Sequence, residues 1–284
     1  MALRHQLARM EVGRPGRGES PDWVAVEEPL EVRIAGEVVA TLMRTPGDDH
    51  LLTLGFLYGE RVLEGAEDVA SVVHCGNPEE EGWGNVVDVR PAGGARIAWE
   101  RVSGAERQGA VSSACGVCGR RTVDELLDGL PPLPGGPVWE VSAIRAAMER
   151  LREHQPAFDA TGGTHAAAAW SAEGELLAVH EDVGRHNTVD KVVGALLLRR
   201  AESSALPRAE LLTVSGRAGL EIVQKAVRAG IPIVASVSAP TSLAVQFARA
   251  AGLTLLGFVR GEKMNVYSGS DRVCGAGLAA VPAA

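Results

Sequence analysis

A chain of 284 residues is about twice the usual domain length, which predicts one large or two modest domains with a core that needs no cross-links. Hydrophobic residues at 46% and charged residues at 23% are ordinary globular proportions, while 34 Gly and 15 Pro predict many turns. A net charge of -8 argues against a general nucleic-acid or anionic-membrane surface, although a local basic pocket can still hold an anionic ligand.

Residues 1–20 mix Arg4, Arg9, Arg14 and Arg17 with Pro and Gly, lack periodicity and lack a signal-peptide apolar run, so they read as a disordered leader. No later stretch reaches the roughly 18 apolar residues of a membrane span. The expected location is the cytoplasm, with no membrane or nucleic-acid partner. Strand-like runs follow at 23–26 and 30–43, the second folding back as a hairpin around Ala35-Gly36. Thr45-Pro46-Gly47-Asp48 predicts a helix over 47–60, with Thr45 as N-cap, Pro46 at the first helical position and Asp48 closing a capping box. Short β-like segments fill 68–102, broken by turns at Asn77-Pro78 and Gly93-Gly94.

The stretch 109–119 is too small and Gly-rich to pack as a regular element, so it reads as a mobile loop carrying Cys115-Gly116-Val117-Cys118. Thr122 with Glu125 opens a short helix, and 129–137 (Gly-Leu-Pro-Pro-Leu-Pro-Gly-Gly-Pro) is the best linker in the chain. The boundary falls there, giving an N-terminal α+β domain over 21–136 that carries the CxxC loop and an α/β domain over 137–284. In the latter, a helix at 142–153 precedes strands at 164–170 and 176–181. Val189, Val192, Val193, Leu196 and Leu197 at helical spacing mark a helix over 187–200. Strands at 211–214, 233–237 and 253–259 alternate with helices at 218–229 and 241–251, a βαβαβ series that predicts a parallel sheet.

Ligands of such sheets gather beyond the carboxyl ends of the strands. The segments there are Ser215-Gly216-Arg217-Ala218-Gly219, Ser238-Ala239-Pro240-Thr241-Ser242 and Arg260-Gly261-Glu262-Lys263-Met264-Asn265. The first two lead into helix N-termini, whose free N–H groups favour phosphate, and Arg217, Arg260 and Lys263 add charge. A nucleotide-like ligand fits this pattern, and ordinary βα turns with solvated arginines are the competing reading. Thr161-Gly162-Gly163-Thr164-His165 and Glu181-Asp182-Val183-Gly184-Arg185-His186-Asn187 each place several polar side chains on a Gly-softened turn. His165 and His186 are candidate contacts to a phosphate, a pterin or a substrate, against the plainer role of turn or core hydrogen-bonding residues.

The CxxC admits several readings. A structural zinc site needs four ligands, and no second pair exists. The zinc-deaminase pattern needs His-x-Glu and Pro-Cys-x-x-Cys, whereas Ala114 precedes Cys115 and His74 is followed by Cys75-Gly76. No tightly held metal is expected. A thioredoxin-like dithiol belongs at a strand-to-helix junction, a nucleophilic cysteine accepting sulfane sulfur as a persulfide suits a small-residue loop, and an accidental CxxC is the bland alternative.

Several segments together resemble the formate dehydrogenase accessory sulfurtransferase family, FdhD. They are Ser-Ala-Cys-Gly-Val-Cys-Gly at 113–119, Thr-Gly-Gly-Thr-His at 161–165, Glu-Asp-Val-Gly-Arg-His-Asn at 181–187 with Asp190-Lys191, Ser-Gly-Arg at 215–217, Ser-Ala-Pro-Thr at 238–241, and Gly-Phe-Val-Arg-Gly at 257–261 with Asn265 and Tyr267. Thr45-Pro46 and Gly55-Phe56-Leu57 also fit, so the resemblance spans about 22–270. The Ala218-Gly219 that follows Ser-Gly-Arg departs from the small polar residue expected in relatives.

The resemblance implies a sulfurtransferase acting through a cysteine persulfide. It receives sulfur from a cysteine desulfurase and passes it to the molybdenum cofactor, Mo-bis(molybdopterin guanine dinucleotide), before the cofactor enters formate dehydrogenase. It further implies a cytidine-deaminase-like α/β fold for the C-terminal domain, and a homodimer. Cys115 maps to the persulfide-bearing cysteine and Cys118 to its partner, which either attacks the persulfide or itself holds sulfur. The stretch Phe258, Val259, Arg260, Gly261, Glu262 and Lys263 maps to the cofactor-binding segment, with Gly216, Arg217, His165, Arg185 and His186 as further candidates. The alternative is a non-catalytic molybdenum-cofactor chaperone with a redox-sensitive CxxC; a dithiol oxidoreductase is a third reading.

Overall fold

The structure is a computed structural model that describes residues 9–13, 21–76, 84–101, 123–130, 133, 135–275 and 279–280. Its strands are β1 (Arg9–Gly13), β2 (Pro21–Ala25), β3 (Glu28–Ile34), β4 (Glu37–Arg44), β5 (Val69–His74), β6 (Val86–Pro91), β7 (Trp139–Glu140), β8 (His165–Trp170), β9 (Leu176–Asp182), β10 (Leu211–Val214), β11 (Ile233–Ser236), β12 (Thr254–Arg260), β13 (Lys263–Ser268), β14 (Val273–Cys274) and β15 (Ala279–Ala280). Its α-helices are α1 (Asp49–Gly59), α2 (Val123–Leu127), α3 (Val141–Glu153), α4 (Pro156–Thr161), α5 (Arg185–Glu202), α6 (Leu220–Arg228) and α7 (Ser242–Ala250). Among the described residues no helix is long and apolar enough to cross a membrane.

Contacts divide the chain into two units that a single cut near Pro137 does not describe. The first comprises the described residues of Met1–Cys115 with Gln155–His165 and Glu181–Glu202; the second comprises those of Gly116–His154, Ala166–His180 and Ser203–Ala284. The reason is packing: α5 lies against α1 in the first unit although more than a hundred residues separate them.

In the first unit a four-stranded sheet runs in the order β4-β3-β6-β5, with β3 and β6 parallel and the outer pairs antiparallel. Leu30, Val32 and Ile34 alternate with polar residues and are fully buried, joining Leu42, Leu52, Leu57, Val87 and Val89 in one core. The β3–β4 turn is the expected hairpin, with Ala35 and Gly36 both at positive φ. Helix α1 begins at Asp49, not at the expected capping box. Gly47 and Asp48 take positive φ and Asp48 makes no side-chain cap. Instead the fully buried Arg44 donates to both carboxylate oxygens of the first-turn Asp49, at 3.0 and 3.2 Å. Helices α1 and α5 meet at small residues. A Cβ at Gly55 would overlap the Asp190 carbonyl, and one at Gly194 would overlap the Leu51 carbonyl.

Residues 9–13, expected within a disordered leader, form β1, paired antiparallel with β2 from Arg9↔Ala25 to Gly13↔Pro21. Backbone pairing with a neighbouring strand supplies hydrogen bonds that composition cannot foresee.

The second unit is built on a seven-stranded sheet of order β15-β13-β12-β11-β10-β8-β9. The expected parallel series is its centre, β10 to β11 to β12, but β8 and β13 flank it antiparallel, so the sheet is mixed. Strands β10 and β11 are buried at every position and are apolar throughout except for Thr213 and the terminal Ser236. Helix α3 buries Val141, Ile144, Ala147, Met148 and Leu151 at helical spacing against Trp170, Leu211, Ile233 and Leu256. The Trp170 indole donates to the Thr213 hydroxyl at 2.9 Å, and the Arg150 guanidinium lies 4.6 Å from the indole ring centre. Helix α4, which belongs to the first unit and which the apolar pattern does not announce, is framed by Pro156 at its start and by Gly162 at φ +66 past its end.

Candidate functional site

Three segments meet beyond the carboxyl ends of β10, β11 and β12 in the second unit. Ser236, the last residue of β11, is fully buried. Its hydroxyl donates to the Gly216 carbonyl at 2.7 Å and accepts from the Ser238 amide at 3.1 Å. The Thr241 amide donates to the Ala218 carbonyl at 3.1 Å, and the Phe258 amide to the Ser238 carbonyl at 3.1 Å. Arg260 Nε reaches the Val237 carbonyl at 3.0 Å. These bonds lace the three loops into one row. No sequence signal singled out Ser236, yet a hydroxyl ending an otherwise apolar strand was the available clue.

Two helices start at this row. Thr241 caps α7, its hydroxyl accepting from the Ala244 amide at 3.3 Å. Helix α6 starts after Gly219, which has no side chain to cap it. The side chains of Arg217, Arg260 and Lys263 are exposed. The row can thus present backbone N–H groups and cations to an anion. Its acidic groups work the other way: Glu221 lies in the first turn of α6 and Glu262 in the turn between β12 and β13.

The structure separates the roles within 258–263. Val259 is buried in the core, so only its backbone can face a ligand. Gly261 carries φ +51 at the first position of a two-residue turn closed by the pair Arg260↔Lys263. The Glu262 carbonyl accepts from the Arg145 guanidinium. Phe258 is 42% exposed with φ +55.

The other sequence candidates, His165, Arg185 and His186, belong to the first unit. There the segments 161–165 and 181–187 come together around two carboxylates, one half-buried and one buried. Glu181 accepts from the Ala157 and Phe158 amides at the start of α4, each at 2.8 Å, and from the Thr164 hydroxyl at 2.9 Å. Asp182, fully buried, pairs with the Lys191 ammonium at 2.8 Å and accepts from the Gly184 amide, the Asn187 side chain and the Thr45 amide. Thr45 is the hub: its hydroxyl accepts from the Val183 amide and its carbonyl from Lys191. Much of the Glu-Asp-Val-Gly-Arg-His-Asn segment is therefore structural, buried polar groups satisfied by one another. His186 is buried in the first turn of α5, while Arg185, its first residue, and His165, the first of β8, are half-buried. Cys115 and Cys118 lie outside the described residues. Cys75 and Cys274 are free thiols, one half-buried and one exposed.

Comparison with known proteins matches this chain over residues 25–274 to the FdhD/NarQ family. The sulfur carrier protein FdhD of Anaeromyxobacter dehalogenans (strain 2CP-C) is 56% identical over 261 residues, covering 90% of each chain. The protein of the same name from Streptomyces avermitilis is 46% identical over 263 residues, covering 89% of each. A solved structure from Desulfotalea psychrophila, provisionally assigned as a formate dehydrogenase accessory protein, superposes with a TM-score of 0.71 at 27% identity, covering 94% of this chain and 98% of that one.

Proposed function

The chain belongs to the FdhD/NarQ family, and from that premise we propose that it is a sulfur carrier required for formate dehydrogenase activity. The observation that carries the reading is 56% identity across 90% of a relative named for sulfur carriage, together with the Cys115-Gly116-Val117-Cys118 sequence. In this reading the Cys115 thiolate attacks the terminal sulfur of a persulfide on a cysteine desulfurase. The Cys115 persulfide forms, the donor leaves as thiolate, and no electrons are gained or lost overall. Attack of the Cys118 thiolate on Cys115 Sγ then expels hydrosulfide and leaves a Cys115–Cys118 disulfide, which a thiol reductant restores.

The recipient is Mo-bis(molybdopterin guanine dinucleotide), handled as substrate before it enters formate dehydrogenase. Its phosphates call for cations and amide ends, and the row of loops after β10, β11 and β12 supports the assignment with Gly216, Arg217, Arg260 and Lys263. His165, Arg185 and His186 lie in the first unit and are candidates on the family resemblance alone. We read the second unit as cytidine-deaminase-like, the carrier as a homodimer, and its place of work as the cytoplasm, where thiols stay reduced.

The test is intact-protein mass spectrometry after incubation with a cysteine desulfurase and L-cysteine, comparing wild type with Cys115→Ser and Cys118→Ser. A reductant-labile gain of about 32 Da per sulfur, present in wild type and lost in Cys115→Ser, is the expected result. A wild type that gains no labile sulfur beside an active desulfurase would leave cofactor delivery without sulfur transfer as the better account.

A further inference from the structure

At the amino-terminal end of the central strands, opposite the row of loops, helices α6 and α7 come to their last turns. Each is followed by a glycine in the left-handed region, Gly230 at φ +73 and Gly252 at φ +68, where the chain turns back toward β11 and β12. Leu127, which closes α2, and Leu130 and Leu133 beyond it face these helix ends. With Val227, the end of α7 and Arg272 they line a groove of about 440 Å³. All three leucines are half-buried, so the groove keeps apolar surface that a partner can cover.

Cations stand at its rim. The Arg272 guanidinium donates to the Gly252 carbonyl at 2.9 Å, which fixes the side chain at the groove and uses one of its five N–H donors. Arg249, exposed in the last turn of α7, adds a second positive charge at the same helix end. An apolar floor beside a guanidinium matches an apolar side chain flanked by a carboxylate.

The covalent chain limits the partner. Cys118 precedes Val123, the first residue of α2, by five residues and Cys115 precedes it by eight, so the two thiols are tethered within about 18 and 29 Å of that helix. A standard protein interface covers about 800 Å² on each side, a patch about 30 Å across. A protein that takes hold of Cys115 is therefore within one interface of the groove.

We propose that this groove is the docking site of the protein that donates sulfur to Cys115: an apolar side chain of the donor fills the space between the leucines and Val227, and a carboxylate beside it pairs with Arg272. This rests on the sulfur-carrier reading above and adds to it the place where the donor sits. The transfer step is unchanged, so the groove governs how tightly the donor binds and not the reactivity of Cys115.

The test loads the full chain with sulfur from two sources, read by intact-protein mass spectrometry. One is a cysteine desulfurase with L-cysteine, at varied desulfurase concentration. The other is sodium tetrasulfide, from which the Cys115 thiolate takes one sulfur and trisulfide leaves, with no docking required. Leu130→Asp, Leu133→Asp and Arg272→Glu should each raise the desulfurase concentration for half-maximal loading by about 10-fold or more. The maximal rate and the loading from tetrasulfide should stay as in wild type. If Leu130→Asp melts below wild type, Leu130→Ala takes its place, with a smaller shift in the same direction. A wild-type half-maximal concentration in any of these variants overturns the docking site and leaves the sulfur carrier standing. Equal loss from both sources overturns it too, because the groove then serves the fold. A wild type that the desulfurase cannot load overturns both readings.

Discussion

The Lys191 ammonium lies 2.8 Å from the Asp182 carboxylate with both side chains almost wholly inside the first unit, 3% and 0% exposed. Removing one partner strands the other charge in a place water does not reach. Lys191→Met should cost about 3–5 kcal/mol by urea denaturation. Asp182→Asn should cost less, because an amide keeps part of the hydrogen bonding from Thr45, Gly184 and Asn187. Equal stability of Lys191→Met and wild type would show that the pair is exposed in solution.

At Gly55 and Gly194 two general tendencies oppose each other. In an exposed helix, Gly→Ala stabilises by about 1 kcal/mol. Here the added Cβ meets the carbonyl of Asp190 or of Leu51, backbone that cannot step aside alone. Gly55→Ala and Gly194→Ala should each lower the melting temperature, by an amount equivalent to about 1–3 kcal/mol. A rise in melting temperature with either variant would contradict the close α1–α5 crossing.

Ser236→Ala removes the hydroxyl that ties the Gly216 carbonyl to the Ser238 amide. The Gly216 carbonyl left behind is buried and the Ser238 amide half-buried, so a loss of about 1–3 kcal/mol is expected. The same variant should loosen the row of loops and weaken pyrophosphate binding at a temperature where the protein is still folded. Full retention of pyrophosphate affinity would separate Ser236 from the anion site.

Burial raises the pKa of Glu210 above its ordinary value; Glu173 pushes the same way, and Arg208 and Arg272 oppose. One of its oxygens is buried with no hydrogen-bond partner among the described residues. A carboxyl whose folded pKa exceeds its unfolded one supports the fold below the unfolded pKa, and that support is lost as pH rises through the folded pKa. Glu210→Gln should therefore melt above wild type at pH 7, with the advantage shrinking as pH falls toward 4. Melting curves across that range check the sign. An advantage that grows on acidification would reverse the assignment.

Local pattern made much of the fold legible. The strand at 211–214 is found as expected, a helix follows at 242–250 close to the expected span, and the Ala35-Gly36 turn closes its hairpin. These features depend on neighbours within a few residues. The expected cap of α1 fails for the same reason in reverse: Thr45 satisfies the local pattern, but its hydroxyl is taken by Val183, 138 residues away.

The sequence by itself determined the family, through motifs spread along the chain, and it determined the central βαβαβ series, because apolar periodicity reports which face of each element is buried. Tertiary structure alone decided that Thr45, Asp182 and Lys191 form one polar knot, that β1 pairs with β2, that β8 and β13 run antiparallel to the central strands, and that Phe258 is held exposed at positive φ. A buried polar group needs a partner but does not specify where along the chain the partner lies, and a backbone conformation forced by neighbouring strands leaves no trace in local propensity.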